Sequence, residues 1–146
     1  MSFSFKTPED SPGFMLWQLT CQWQREQRQA LAKLGLTHAQ FVVLASLLWL
    51  STHCDEYITQ RHVTAHSKID KMSMSDLITT LEQKKFLKRL PHPQDGRAQS
   101  LTLTAKGRER ALKAIPIVEA IDAEFFERES NGVAKLFRSL KAAPTT

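Results

Sequence analysis

Polar side chains that could contact a nucleic acid recur on one predicted helix near the middle of the chain. Apolar residues in segment 71–83 recur at i, i+3, i+4 and i+7, which predicts a narrow buried stripe on a helix. The residues off that stripe are mostly short and polar: Lys71, Ser73, Ser75, Asp76 and Thr79. A helix in the major groove presents such side chains to base edges, with a cation near phosphate. The pattern therefore predicts that Ser73 and Ser75 approach bases while Lys71 approaches a phosphate.

A second candidate group lies in the segment around 91–98, which is dense in turn-forming residues and separates two predicted strands at 86–90 and 100–103. Arg97 lies near the tip of this predicted hairpin. An arginine there can enter the narrow, electronegative minor groove of DNA. Asp95 lies two residues earlier, so we expect it to pair with the Arg97 guanidinium and hold it in place.

Basic residues concentrate in the same part of the chain. Eleven of the 20 Lys and Arg residues lie between residues 59 and 110, together with five acidic residues, so this segment has a net charge of +6. The remainder of the chain has a net charge of −1. A localised positive surface suits a polyanionic partner such as DNA, and a merely solvated basic face is the alternative interpretation.

Capping signals predict the helices that must position these groups. Ser11-Pro12 predicts the start of a first helix that runs to about residue 33 and ends at Gly35. Thr37, with Gln40 three residues later, predicts a second helix. That helix is apolar on nearly all sides over residues 41–50, which predicts that it is buried.

Capping residues also predict the starts of the later helices. Thr59 is the predicted cap of a short third helix, Asp70 caps the fourth, and Thr104 caps a fifth that contains Pro116. A break is predicted at Asn131-Gly132, before a last short helix. Two short helices joined by a tight turn and followed by a two-stranded hairpin have the order of a winged helix-turn-helix. The predicted fold is mainly α, with about six helices and a small β-hairpin wing.

Several motifs occur in a specific order along residues 12–130: Leu36-Thr37-x-x-Gln40-Phe41-x-x-Leu44, Thr59-Gln60, Asp70-Lys71-Met72-Ser73-Met74-Ser75, Leu81-Glu82, Asp95-Gly96-Arg97-Ala98 and Leu103-Thr104-Ala105-Lys106-Gly107. This ordered set resembles the MarR family of transcription regulators. The resemblance implies a homodimer whose N- and C-terminal helices interlock. It further implies that two recognition helices bind a pseudo-palindromic operator on double-stranded DNA, in half-sites about 34–36 Å apart.

The resemblance also implies a repressor that is released by a small ligand or a redox signal. The residues expected to contact DNA are Thr59, Gln60, Lys71, Ser73, Ser75, Asp76, Thr79, Asp95 and Arg97. The expected organisation is a flexible tail over 1–10, dimerisation helices over 11–36 and 111–143, and a winged helix-turn-helix lobe over 37–110. Apolar faces on the first and last helices agree with pairing to a second chain.

Asp76 departs from the family pattern, because this position often carries a basic residue that faces DNA. An acid near phosphate is unfavourable unless it accepts a hydrogen bond from a cytosine amine or faces a local cation. This departure motivates an alternative function, a protein-interaction adaptor that has kept a winged helix without sequence-specific DNA binding.

Other reactive side chains each have a structural and a functional interpretation. Trp17, Cys21, Phe41 and Trp49 are candidates to line a pocket for a small apolar or aromatic effector, although aromatic residues at helical spacing, Trp49 among them, are more often core. Cys21 is either a redox sensor or a small buried hydrophobe. His62 and His66 have the spacing of a metal pair, but they lack two further ligands, so we expect no metal and assign them to DNA or solvent.

The remaining patterns exclude other classes of protein. The sequence has no phosphate-binding glycine loop, nucleophile elbow or metalloprotease motif, so we expect neither an enzyme nor a cofactor. The longest apolar run is too short to cross a bilayer, and the N-terminus lacks the apolar region of a signal peptide. Two cysteines cannot form a disulfide scaffold, so a cytoplasmic protein without a membrane partner is predicted.

Overall fold

The computed structural model describes residues 2–142 of the chain. These residues form two compact units, one spanning Leu31–Ile117, which we call the winged unit, and one made of the residues up to Ala30 and from Val118 onward, which we call the helical unit. The elements in chain order are α1 (Pro12–Leu31), α2 (His38–His53), α3 (Gln60–Ser67), α4 (Lys71–Gln83), β1 (Leu87–Pro91), β2 (Gln99–Leu103), α5 (Ala105–Arg128) and α6 (Ser130–Ala142). The predicted fold class, six helices with one two-stranded hairpin, is confirmed over this part of the chain.

Helices of the winged unit begin at the caps that the sequence predicts. The Thr37 hydroxyl accepts from the Gln40 backbone N–H, and the Gln40 side chain accepts from the Thr37 N–H, both at 3.1 Å. The Thr59 hydroxyl accepts from the His62 N–H at 3.4 Å. These bonds satisfy backbone donors that a helix N-terminus otherwise leaves unpaired. The predicted break at Gly35 is also confirmed, because its φ of 68° is a left-handed conformation that glycine adopts without strain.

The core of the winged unit lies between α2, α3, α4 and the hairpin. Its fully buried side chains include Leu44 and Leu47 of α2, Val63 of α3, and Ile78 and Leu81 of α4. Each such side chain contributes about 1.5–3 kcal/mol relative to an exposed position. The stripe expected on the fourth helix is therefore the face that anchors α4.

The hairpin pairs β1 and β2 as antiparallel strands, with Arg89 opposite Leu101 in the register. The segment before α3 joins this sheet, because the Leu101 N–H donates to the Ile58 carbonyl at 2.7 Å. At its other end the hairpin meets the first turn of α5. A Cβ on Gly107 would lie 1.8 Å from the Phe86 carbonyl oxygen, so only glycine permits this approach.

The prediction that Trp49 lies in the core is wrong. Trp49, expected in the core of α2, is 55% exposed, and its ring stacks on His53 with the centroids 3.7 Å apart. The helix around it is apolar on nearly every side, so its sequence has no period that marks the solvent-facing position.

The helical unit is held by polar contacts between α1 and the second half of α5. The Trp23 indole N–H donates to Asp122 Oδ1 at 2.6 Å, and the buried Gln27 side chain donates to the same oxygen at 2.7 Å. Arg128 bonds Glu26 at 2.5 Å. Phe125 is the largest fully buried side chain of this unit.

The predicted break at Asn131-Gly132 is also misplaced. The structure interrupts the helix at Glu129, and both residues lie in the first turn of α6. A Cβ on Gly132 would lie 3.3 Å from a Leu19 methyl carbon, so the glycine serves the packing of α6 against α1 rather than a chain break. In the predicted tail, Pro8–Asp10 form one 3-10 turn, and the Glu9 carbonyl accepts from the Ser139 hydroxyl.

No single helix within residues 2–142 is long and apolar enough to cross a membrane. The α1 and α2 segments meet that requirement only when they are added together across the break between them.

Candidate nucleic-acid interface

The two helices of the helix-turn-helix are joined by a side-chain hydrogen bond. The Gln60 amide at the start of α3 donates to Ser75 Oγ of α4 at 2.8 Å, and the Ser75 hydroxyl donates to the Lys71 carbonyl at 3.2 Å. Ser75 is half-buried as a result. Of the two serines expected at bases, Ser75 therefore has the structural role of fixing α4 against α3.

The N-terminus of α4 is fixed by Asp70. Its carboxylate accepts from the Ser73 backbone N–H at 2.9 Å and from the Ser73 hydroxyl at 2.7 Å. These bonds lower the pKa of Asp70, chiefly through the backbone N–H of Ser73 and next through its hydroxyl. Ser73 stays exposed, and its oxygen can still accept a hydrogen bond from a ligand.

The first turns of α4 present an exposed surface made of Lys71, Met72, Ser73 and Asp76. Met72 was not singled out from the sequence, yet it is 82% exposed, more than any other large apolar side chain of the winged unit. Met72 lies off the predicted buried stripe of α4, and this position in the sequence indicated an exposed side chain.

Arg89 of β1 links the hairpin to α4, a contact that the sequence analysis did not predict. Its Nη2 donates to Thr79 Oγ1 at 2.7 Å, and its backbone N–H donates to Glu82 Oε2 at 3.2 Å. Its Nε faces the other Glu82 oxygen at 3.8 Å. Thr79 is exposed but engaged with the protein, so it helps to hold the wing rather than presenting a free hydroxyl.

The predicted pairing of Asp95 with the Arg97 guanidinium is wrong. Asp95 Oδ1 instead accepts from the Arg97 backbone N–H at 3.0 Å, and no ion pair joins the two side chains. A carboxylate that bonds the backbone two residues on is typical of a turn. Asp95 shapes the wing tip, which leaves the exposed Arg97 guanidinium available to a partner.

A groove of about 1040 Å³ separates α3 from the wing, and most of its charged side chains are basic. Its lining includes Thr59, Gln60, Arg61, His62, Arg89, His92, Asp95 and Arg97. The structure thus brings four of the predicted DNA contacts, Thr59, Gln60, Asp95 and Arg97, to one groove.

The eleven basic residues between 59 and 110 do not all face outward. Lys84 Nζ binds the Gly35 carbonyl at 2.9 Å, and Arg110 binds the Leu34 carbonyl. With Arg89, these cations hold the winged unit together. Arg61, Lys71, Lys88 and Arg97 are among those that remain exposed.

The four residues proposed for an effector pocket lie in different units. Trp17 and Cys21 line an open cavity of about 580 Å³ in the helical unit. Phe41 and Trp49 belong to the winged unit, where Phe41 is buried. Cys21 is half-buried. Its two interpretations, as a redox sensor and as a small buried hydrophobe, both stay predictions.

His62 has a structural contact of its own. Its Nδ1 accepts from the Thr59 backbone N–H at 3.1 Å. Within residues 2–142, no three His, Cys, Asp or Glu side chains cluster closely enough to hold a metal ion.

Comparison with known proteins places this geometry among transcription regulators. The family model for an ArnR1-like winged-helix domain matches residues 32–120. The uncharacterized HTH-type transcriptional regulator YdcH of Bacillus subtilis is 45% identical over 122 residues, which cover 84% of this chain and 82% of that protein.

Two solved structures add to this comparison. A cysteine-to-serine mutant of MarR from E. coli in complex with operator DNA has a TM-score of 0.70 and 25% identity, covering 89% of this chain and 91% of that one. The MarR family protein Rv2887 of Mycobacterium tuberculosis, named as a transcriptional repressor, was solved in complex with salicylic acid. It has a TM-score of 0.61 and 26% identity, covering 88% of this chain and 94% of that one.

Proposed function

Because the chain belongs to the MarR family of winged-helix transcription regulators, we propose that it represses transcription as a homodimer bound to a pseudo-palindromic DNA operator. The relatives are named as transcriptional regulators, one of the solved structures holds operator DNA, and this chain is a transcription regulator of the same family.

In the proposed complex, α4 enters the major groove and the wing enters the adjoining minor groove. The observation that carries this is that one compact unit holds both an exposed α4 surface, at Lys71, Met72, Ser73 and Asp76, and an exposed Arg97 at the wing tip. Within residues 2–142 the Arg97 guanidinium forms no ion pair. Lys71 supplies a phosphate contact that sets the register, Ser73 and Asp76 lie nearest to base edges, and Arg97 contacts the minor groove.

The homodimer is proposed from the helical unit. Leu16, Phe126, Phe137 and Leu140 are all exposed in the single chain. Large apolar side chains grouped on a few helices mark an association surface, and a second copy offers the same surface in a symmetric dimer. Two copies would then present two α4 helices to half-sites about 34–36 Å apart.

Selection of bound genomic DNA, followed by competition in gel shifts at moderate salt, tests the proposal. We expect one family of related sequences to outcompete random DNA. If none does so at any protein concentration, the adaptor function is favoured instead, since a winged helix retained for protein contacts has no preferred sequence.

Arg97→Ala tests the wing. We expect a loss of operator affinity of about 1–3 kcal/mol and a shallower dependence of log Kd on log salt, because a cation in the minor groove is removed. Arg138→Ala removes the same charge from the helical unit and should leave that slope unchanged. Equal slopes for Arg97→Ala and the unmodified protein would exclude Arg97 from the DNA contacts.

Release by a small ligand is proposed from the relative that was solved with salicylic acid. We expect salicylate to dissociate the operator complex in a concentration-dependent way and to quench tryptophan fluorescence. Benzyl alcohol, which has a ring but no carboxylate, is the matched control. Operator binding that is indifferent to salicylate would restrict the effector to another chemical class or to an oxidant acting at Cys21.

A further inference from the structure

His92 directly follows the last residue of β1, at the start of the wing tip. Its Nδ1 accepts hydrogen bonds from two successive backbone N–H groups, those of Gln94 and Asp95, both at 3.1 Å. The backbone of the same residue closes the base of the turn, because the His92 N–H donates to the Ala98 carbonyl at 3.2 Å. One side chain thus anchors the half of the wing tip that precedes Arg97.

The ring itself is held from the other side. Tyr57 packs its edge against the imidazole, with the ring centroids 5.3 Å apart and the planes at 62°. His92 is half-buried in consequence. A ring fixed by an aromatic neighbour and by two N–H groups has one orientation, which a free surface histidine lacks.

This geometry requires a defined protonation state. A nitrogen accepts only through its lone pair, so Nδ1 must be unprotonated and the single ring proton must lie on Nε2. Protonation of Nδ1 would remove the acceptor of both N–H groups at once. The charged and titratable groups around the same groove are Arg61 and His62 of α3, Arg89 of β1, Asp95 and Arg97 of the wing, and Tyr57.

We propose that neutral His92 is a positioning residue for DNA binding, which holds the wing turn so that Arg97 is presented to the minor groove. The inference rests on the proposed DNA-binding function of the wing.

The first test uses the free protein and needs no operator. At pH 8, ¹⁵N NMR should show the Nε2–H form of His92, and the Gln94 and Asp95 amides should be protected from hydrogen exchange. His92→Asn should retain that protection, since an asparagine oxygen accepts from the same two N–H groups in a turn and does not titrate. His92→Ala should lose it, while Gln94→Ala, which keeps the backbone N–H, should not.

An Nδ1–H ring at pH 8, or unchanged protection in His92→Ala, would each overturn the proposal.

The second test measures operator affinity at pH 8. His92→Ala should weaken binding about tenfold, because two hydrogen bonds that order the wing are lost, whereas His92→Asn should stay within about twofold. In an Arg97→Ala background, His92→Ala should cost nothing further. A cost that persists there would mean that His92 contacts DNA itself, which contradicts positioning. If Arg97→Ala alone has no effect, the proposed function fails at the wing, and the exchange measurements still decide the role of His92.

Discussion

The winged unit and the helical unit differ in how completely each buries its apolar residues. In the winged unit, α2 and α4 place Leu44, Leu47, Ile78 and Leu81 entirely out of solvent. In the helical unit, Phe125 is fully buried, but large apolar side chains on all three helices stay exposed: Phe14, Leu16, Trp17, Phe126, Phe137 and Leu140. The winged unit also exposes large apolar side chains, Trp49 and Met72 among them, but it has the larger set of fully buried ones. The exposed side chains on the three helices of the helical unit are those expected of an association surface.

The polar contacts that fix helix starts in the winged unit are local, whereas those that join the helices of the helical unit are long-range. Helix starts in the winged unit are fixed by side chains three residues away, as at Thr37 and Asp70. The helical unit depends on pairs about a hundred residues apart, such as Trp23 with Asp122 and Arg128 with Glu26. Local contacts can be recognised in the sequence, and long-range contacts become visible only in the fold.

The largest effect on stability is expected from Gly107→Ala in the winged unit. The added Cβ would lie 1.8 Å from the Phe86 carbonyl, so the start of α5 or the turn before β1 must shift. We expect a loss of about 3 kcal/mol in the free energy of unfolding, measured by urea denaturation. Gly96→Ala is the matched control, because its Cβ would have no neighbour within 4 Å. Equal urea midpoints for the two variants would show that the contact between α5 and the Phe86 backbone can move apart to admit a Cβ at little cost.

An intermediate effect is expected from Phe137→Asp on α6. This side chain is 58% exposed, so the single chain should fold normally, but a charge on the proposed dimer surface should separate the two copies. We expect a monomer by light scattering and a loss of about 100-fold in operator affinity, because two half-sites no longer bind together.

The neighbouring Arg138→Ala changes the net charge by the same single unit and should keep the dimer. A dimer that survives Phe137→Asp would place the contact between the copies on another surface. The contrast between the two units would then need a different explanation.

The smallest effect is expected from Asp70→Asn at the start of α4. The pKa of Asp70 is lowered in the folded protein, so its charged form contributes stability at neutral pH, and that contribution is lost as the pH falls through the folded pKa. Asparagine keeps an acceptor for the Ser73 N–H but has no charge to lose. We therefore expect the gap in Tm between the two proteins to be largest near pH 7 and to close toward pH 3.

Asp76→Asn is the control for this pH series, because Asp76 is an exposed acid on the same helix beyond its first turn. A gap for Asp70→Asn that stays constant over the whole range would show that the charge of Asp70 adds nothing to the cap.

The sequence predicted those parts of the fold that depend on local patterns. The caps at Thr37, Thr59 and Asp70 and the buried stripe of α4 were correctly located, because each is defined by residues within one or two helical turns. Trp49 was misassigned, since a helix that is apolar all round carries no local mark of its exposed side. Gly132 was misassigned because its reason lies in Leu19, more than a hundred residues away.

The candidate site was predictable in outline and not in its internal contacts. The residue types of α4 and the wing indicated the surface, but Ser75 and Thr79 turned out to be engaged by Gln60 and Arg89. The expected Asp95 ion pair became a backbone contact, because a turn of this length satisfies its own N–H groups first. Whether a polar side chain bonds a partner or another group of the protein depends on the geometry of the fold, which residue types alone do not reveal.

The contact of Arg89 with Thr79 and Glu82 has a consequence for the kind of DNA that fits. Because Arg89 joins β1 to α4, the proposed major-groove and minor-groove contacts would not adjust to DNA separately, and the duplex would have to supply the matching spacing. Base pairs between the two contacts would then influence affinity through their stiffness, although no side chain touches them. Operators that differ only at those base pairs would report this as differences in Kd.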